Sequence, residues 1–316
     1  MDGLLVIDKP IGPTSHDVVV RMRRILGERR LGHTGTLDPG ASGVLPLVLG
    51  RATRLARFLS ASDKRYEAVI RVGVATDSYD AQGAPLGPTW GGALPSREAI
   101  DAALGAFRGS FLQQPPAYSA KKVAGRRSYE TARAARSDRR DPPEPSTLPA
   151  AASVTVRRLE VLQLEGDLLT VRVDCSVGFY VRSLAHDLGQ RLGTGAHLAA
   201  LRRISSGDFT IADALPLRSA EEDPNRARRA VVPLVRMLPR WSAVVLTDEG
   251  ARRVAHGRDI GPDDITRADL GLADPMTHRP PGSADNVRLL DPQGELIGIA
   301  VPAQASGLLH PSVILV

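Results

Sequence analysis

The sequence predicts an α+β chain with one large unit followed by a smaller, β-rich one. Three observations predict it. Apolar residues alternate with polar ones over 65–76 and 168–177, the period of a half-buried strand. They recur at helical spacing after Thr14, after Ser96 and over 184–192. Beyond Leu238-Pro239, short strand patterns start afresh. A length of 316 residues exceeds the usual single domain, and a hydrophobic fraction of 42% supplies a core.

The elements follow in order. LLVID (4–8) reads as a short strand that Pro10 ends. Thr14 or Ser15 caps a helix whose face carries Val18, Met22, Ile25 and Leu26, with Gly27 as its stop. A glycine-rich loop, LGHTGTLDPGASG (31–43), leads into a buried strand, VLPLVLG. A short helix from about Thr53 turns Leu55, Ala56 and Leu59 inward, and Arg51, Arg54 and Arg57 share its other face. In the alternating segment 65–76, Tyr66 has the parity of Ala68, Ile70, Val72 and Val74, so it belongs to the apolar face. Ser96 caps a helix carrying Ile100, Ala103, Leu104 and Phe107. Residues 113–150 are rich in Pro, Arg and Ser and read as a protruding, mobile segment. In 168–177 the parity places Val171, Val173, Cys175 and Val177 inward. Gly178 interrupts, and a helix with Leu184, Leu188 and Leu192 runs to Gly193. The pattern weakens over 215–240, and DPQG (291–294) marks a hairpin in the last unit, 240–316.

Charge is unevenly distributed. The chain carries +6 net, and only four of its 41 basic residues are lysine. Between Arg108 and Arg140, nine Arg or Lys face only Glu130 and Asp138, a net of +7; over 241–316, six arginines face ten acidic residues, a net of −4. A basic stretch of this density is either a solvated surface loop or a contact for a polyanion such as nucleic acid. Apolar runs fall short of the ~20 residues of a membrane span. Met1 is followed almost at once by a strand, so no leader is expected. The lone Cys175 supports neither an internal disulfide nor a zinc site. A cytoplasmic protein, with no membrane and no metal, is the expectation.

The loop 31–43 concentrates potential chemistry: His33, Thr34, Thr36 and Asp38 among four glycines. Pro39 holds Asp38 in extended conformations and so fixes the direction of its carboxylate. Asp-Pro-Gly alone is a turn former. A phosphate loop is excluded by the missing Gly-Lys-Ser/Thr ending and by a carboxylate where an anion would bind. GASG (40–43) is one residue short of a serine-hydrolase elbow. A glycosidase pair needs a second carboxylate, and nothing in the sequence places Asp17, Asp77 or Asp80 beside Asp38. His33 and His186 lack metal-ligand spacing.

Six blocks resemble the TruB-type tRNA pseudouridine-55 synthases: LLVIDKPIGPTSHDVV (4–19), GHTGTLDPGASGVLPLVLG (32–50), DKRYEAVIRVGVATDSYDAQG (63–83), QQPPAYSAKKVAGRRSYETAR (113–133), GFYVRSLAHDLG (178–189) and GAHLAALRRISSGDF (195–209). They keep the family's order and span about two-thirds of the chain. The resemblance implies a pseudouridine-synthase catalytic domain over 1–235, built on a mixed, mainly antiparallel sheet flanked by helices. It implies a basic thumb at about 113–150 and a small PUA-like domain over 240–316 that touches the acceptor end of tRNA. Asp38 matches the nucleophile, Tyr66 the tyrosine that stacks on the flipped base, and Arg182 the arginine that pairs with the aspartate. His33 matches the histidine that helps extrude the nucleotide. Tyr180 and Leu201 match residues lining the base pocket, and Lys9 and Pro10 a motif that buttresses the catalytic loop. Arg126, Arg127, Arg133 and Arg136 fall in the thumb as phosphate contacts. At Gly40 the family more often carries Leu or Met.

The implied activity is isomerisation of uridine to pseudouridine in the T-loop of tRNA by a cofactor-free monomer without guide RNA. Two other readings use the same residues: a non-catalytic tRNA-folding chaperone, and a guide-RNA-dependent enzyme acting on ribosomal RNA. Intact Asp38, Tyr66 and Arg182 favour catalysis, and the long basic segment favours the stand-alone form.

Overall fold

The structure, a computed structural model, describes residues 1–117, 122–123, 126–127, 149–269, 286–304 and 307–316. In chain order the strands are β1 (Gly3–Lys9), β2 (Leu31–His33), β3 (Ala41–Leu49), β4 (Lys64–Val72), β5 (Gly109–Gln113), β6 (Lys122–Val123), β7 (Arg126–Arg127), β8 (Ala152–Glu165), β9 (Leu168–Cys175), β10 (Ala196–Ser206), β11 (Phe209–Thr210), β12 (Leu215–Pro216), β13 (Ala243–Leu246), β14 (Ile265–Asp269), β15 (Val287–Leu290), β16 (Leu296–Pro302) and β17 (Leu309–Ile314). The α-helices are α1 (Ser15–Leu26), α2 (Ala56–Ser60), α3 (Arg97–Leu104), α4 (Val181–Leu192), α5 (Leu217–Glu222), α6 (Pro224–Arg229) and α7 (Asp248–Ala255). No described helix is long and apolar enough to cross a membrane.

The chain divides into two compact units. The first comprises 1–39, 43–62 and 206–316; the second comprises 40–42 and 63–205. In the first, β1 runs antiparallel to β3 from Gly3↔Leu49 to Lys9↔Gly43, β2 pairs antiparallel with β3, and β12 joins β1 in parallel. The continuous apolar sequence of β1 and β3 follows from burial on both faces: Leu4, Leu5, Ile7, Leu45, Leu47 and Leu49 are all inaccessible to solvent. Thr14 caps α1, its hydroxyl accepting from Asp17 N (3.0 Å) while the Asp17 carboxylate accepts from Thr14 N (2.8 Å). Gly27, at φ 67°, ends that helix.

The same unit holds the C-terminal sheet, ordered β14-β13-β15-β16-β17, with β13 and β15 parallel and the other neighbours antiparallel. Its Ile299, Val313 and Leu315 share a core with Leu4, Val6 and Val44. Arg51 and Arg54 donate to the Leu315 and Ile314 carbonyls, so two arginines of the 51–57 face grip the chain end. DPQG forms the β15–β16 hairpin, where the Asp291 carboxylate accepts from Gln293 N and Glu295 N (both 2.9 Å).

The second unit is built on the strand order β10-β4-β9-β8-β5, in which β4–β9, β9–β8 and β8–β5 pair antiparallel. Helices α3 and α4 cover a core of Ala68, Ile70, Val171, Val173, Leu184 and Leu188.

Two sequence expectations need correction. Val177 does not face inward: β9 ends at Cys175, and Val177 is 49% exposed. Ser176 ends the ladder, its N–H donating to Thr155 O (2.8 Å) and its hydroxyl accepting from Thr155 N (2.9 Å), before Gly178 turns the chain at φ 86°. The weak pattern at 215–240 conceals two short helices, α5 and α6. Asp223 caps α6 by accepting from Asn225 N (2.9 Å) and Arg226 N (3.0 Å), with Pro224 at the first helical position.

Candidate active site

In the first unit, the loop between β2 and β3 carries Asp38, and the chain on each side of it is tied down. The Ser15 hydroxyl donates to Leu37 O (3.0 Å) and accepts from Leu37 N (2.8 Å), which uses both of its capacities on one neighbour of Asp38. Gly12 N donates to Pro39 O (2.9 Å), holding the other neighbour. The segment that supplies Gly12 and Ser15 is itself pinned by Lys9. That side chain has no solvent exposure, and its Nζ donates to Pro10 O (2.9 Å) and Pro13 O (2.8 Å). Burying an ammonium is costly unless its donors are used, and here it closes a turn that props the loop. Pro10 is exposed, whereas Asp38 and His33 are half-buried. The His33 Nδ1 accepts a long bond from Gly35 N (3.4 Å). Gly40 has ordinary backbone geometry, and a Cβ there would meet the Gln82 side chain at 3.5 Å, a normal contact.

In the second unit, Tyr66 lies on β4 opposite Val173. With Leu201 of β10 it packs, half-buried, against the apolar core. Tyr180 immediately precedes α4. Its backbone is clamped by the buried Gln113, whose amide donates to Tyr180 O (3.0 Å) and accepts from Tyr180 N (2.8 Å). Arg182, the second residue of α4, is 8% exposed. Its Nη1 reaches Ser78 O at 3.5 Å and Asp80 Oδ2 at 3.7 Å. The other oxygen of Asp80 is fixed by the Ser78 hydroxyl (2.6 Å) and Gln82 N (3.0 Å), so the loop aims the carboxylate before the arginine meets it.

The site residues divide between the units: Lys9, Pro10, His33 and Asp38 belong to the first, and Tyr66, Tyr180, Arg182 and Leu201 to the second. Arg126 and Arg127 form β7, paired with β6, and their side chains lie outside the described residues, as do Arg133 and Arg136 altogether. Sequence reasoning missed Ser15, Gln113 and the service of Asp80 to Arg182. Only Asp80 left a trace, in the turn-forming TDSYDAQG (76–83).

Electrostatics distinguish the surroundings of Arg182. Burial pushes the Asp187 carboxyl up to about 6, against the pull of Arg191. A carboxyl raised in the folded state binds its proton more tightly there than in the unfolded chain. Its contribution to stability is therefore fully present below the ordinary value of 3.8 and is lost as pH rises through about 6. Asp187→Asn cannot ionise. Calorimetry is expected to show its Tm a few degrees above wild type at pH 7.5, with the gain shrinking by pH 5.

Comparison with known proteins places the sequence in a family. The TruB family pseudouridylate synthase N-terminal domain matches residues 23–181, and the tRNA pseudouridylate synthase B C-terminal domain matches 182–238. A tRNA pseudouridine synthase B of Solibacter usitatus is 43% identical over 317 residues, covering 100% of both chains. Its counterpart in Ralstonia nicotianae is 40% identical, covering 98% of this chain and 92% of that one. Among solved structures, an H/ACA RNP bound to a substrate RNA containing 2′-deoxyuridine includes a chain similar at a TM-score of 0.71 and 26% identity, over 99% of this chain and 85% of that one. A chain of a Cbf5-Nop10-Gar1 complex matches with the same values. With a family domain spanning half its length and a full-length relative at 43% identity, the chain belongs to the TruB family of pseudouridylate synthases.

Proposed function

We propose that this chain, a tRNA pseudouridine synthase, converts uridine 55 in the T-loop to pseudouridine without guide RNA, using Asp38 as its nucleophile. The observation that carries the proposal is the immobilised Asp38: Leu37 and Pro39 are both held by hydrogen bonds, while the carboxylate stays partly open to solvent. A loop kept only for its turn has no need of this support.

The reaction balances without a co-reactant. The bond from N1 to C1′ breaks, the base rotates, C5 bonds to C1′, and the C5 hydrogen leaves as a proton while N1 gains one. A carboxylate can bond covalently to the nucleotide and leave again, which keeps the base and sugar together between the two steps. Extruding the base from its stack costs a few kcal/mol. Tyr66 stacking on the flipped base, with Tyr180 and Leu201 as pocket walls, offsets that cost, and His33 takes the vacated place in the RNA. Arg182 orients the aspartate. Residues 1–235 form the catalytic domain and 240–316 a PUA-like domain at the acceptor end. Arg126, Arg127, Arg133 and Arg136 contact phosphates. The protein works as a cytoplasmic monomer.

Purified protein incubated with an unmodified T-stem-loop and no guide tests this reading. Mass spectrometry is expected to find pseudouridine at position 55 alone. Paired charge reversal at Arg126 and Arg127 is expected to weaken binding and flatten its salt dependence. A T-loop left unmodified, or modified only when a guide RNA is added, would sink it.

A further inference from the structure

Arg182 and His186 are four residues apart on α4 and so share a face of that helix. Three consecutive residues of the loop before α3 meet this pair. The Ser78 carbonyl and the Asp80 carboxylate approach Arg182, at 3.5 and 3.7 Å. Between them, the Tyr79 ring stacks on His186, with centroids 3.8 Å apart and planes inclined by 14°.

Tyr79 holds this position in a left-handed conformation, φ 65°, which bulky side chains rarely adopt. Its N–H donates to Thr76 O (3.2 Å) and its carbonyl accepts from Leu198 N (2.9 Å), so the backbone is anchored and the ring direction is set. Burial pushes the Tyr79 hydroxyl up and the His186 imidazole down, so both rings are neutral near pH 7 and neither charge opposes the stack.

We propose that Tyr79 and His186 are positioning residues, whose stack locks the 76–84 loop to α4 and thereby holds Ser78 and Asp80 at the distances that orient Arg182. The Ser78 contact lies at the outer edge of hydrogen-bonding range and the Asp80 contact is a longer ion pair, so a small shift of the loop weakens both. The inference rests on the role given to Arg182 under the proposed function and extends it to two residues that touch no substrate.

The test uses the full chain with Tyr79→Gly, Tyr79→Phe, His186→Ala, His186→Phe and, as a reference, Arg182→Ala. Glycine accepts a positive φ, so Tyr79→Gly deletes the ring while keeping the backbone. Single-turnover pseudouridine formation at saturating tRNA, tRNA Kd and Tm are measured for each. Tyr79→Gly and His186→Ala are expected to slow the step about 10- to 100-fold with Kd unchanged, a size typical of a small misplacement of a catalytic group. The Phe variants, which keep a flat ring, are expected to stay within about threefold of wild type, and a double variant combining Tyr79→Gly with His186→Ala to be no slower than the slower of those two alone. Wild-type rates in Tyr79→Gly and His186→Ala beside a slow Arg182→Ala would overturn the inference alone. So would Phe variants as slow as the ring deletions. A wild-type rate in Arg182→Ala would overturn the role of Arg182 and this inference with it.

Discussion

Asp38→Asn is expected to bind unmodified tRNA with unchanged Kd and to form pseudouridine about 10⁴-fold more slowly or worse, as when other covalent nucleophiles are removed. Asparagine matches aspartate in size and leaves the backbone restraints intact. Those restraints run from Ser15 to the Leu37 backbone and from Gly12 to the Pro39 backbone, so the substitution leaves them in place. An amide is a poor nucleophile and a poor leaving group, so the covalent step has no substitute. Filter binding and position-resolved mass spectrometry on the same preparation separate the two effects. Loss of binding together with activity would mean that Asp38 holds the loop or the RNA rather than attacking it.

Arg182→Ala is expected to lower kcat about 10²- to 10³-fold, the usual cost of removing one preorganised charged donor. Its guanidinium is 8% exposed and lies between a carbonyl and an oriented carboxylate. Removing it strands the Ser78 carbonyl and one oxygen of Asp80, so a stability loss of about 1–3 kcal/mol should accompany the kinetic one. Arg182→Lys should not restore the rate, because the shorter lysine side chain does not carry its ammonium to the place where the guanidinium Nη1 meets both acceptors. Measuring kcat, tRNA Kd and Tm for both variants checks this. A full rate in the lysine variant would reduce Arg182 to a point charge.

Much of the fold was legible because single residues carried its signals. Thr14 and Gly27 bracket α1 as their chemistry requires, Ser96 caps α3, and the parity of Tyr66 placed it on the core face of β4. The alternation in β9 misled at Val177 because a period of two has no marker for where the ladder stops. Here the strand ends at Cys175, two residues earlier, and the Ser176 hydroxyl takes the Thr155 N–H. Helices α5 and α6 are each six residues long, too short for periodicity to register, though Asp223-Pro224 carried the start signal. At the site, Lys9, Pro10, His33, Asp38, Tyr66, Tyr180, Arg182 and Leu201 were named through family resemblance, from motifs that stand together in the sequence. The missed ones act on backbone atoms distant in sequence: Ser15 on Leu37, 22 residues on, and Gln113 on Tyr180, 67 residues on. No local pattern records such a partner. Asp80 was visible as a turn residue, but its service to Arg182 depends on α4 arriving beside the loop.

The most direct test of the central claim is tritium release from C5 of uridine 55 in labelled tRNA, under single turnover with enzyme in excess. Forming the C5–C1′ bond must expel that hydrogen, so release reports chemistry and not binding. Wild-type protein should release the label from position 55 in a single phase, and Asp38→Asn at equal occupancy should release none above the enzyme-free control. Release by the asparagine variant at a rate near that of wild type would contradict the assignment of the carboxylate at position 38 as the nucleophile.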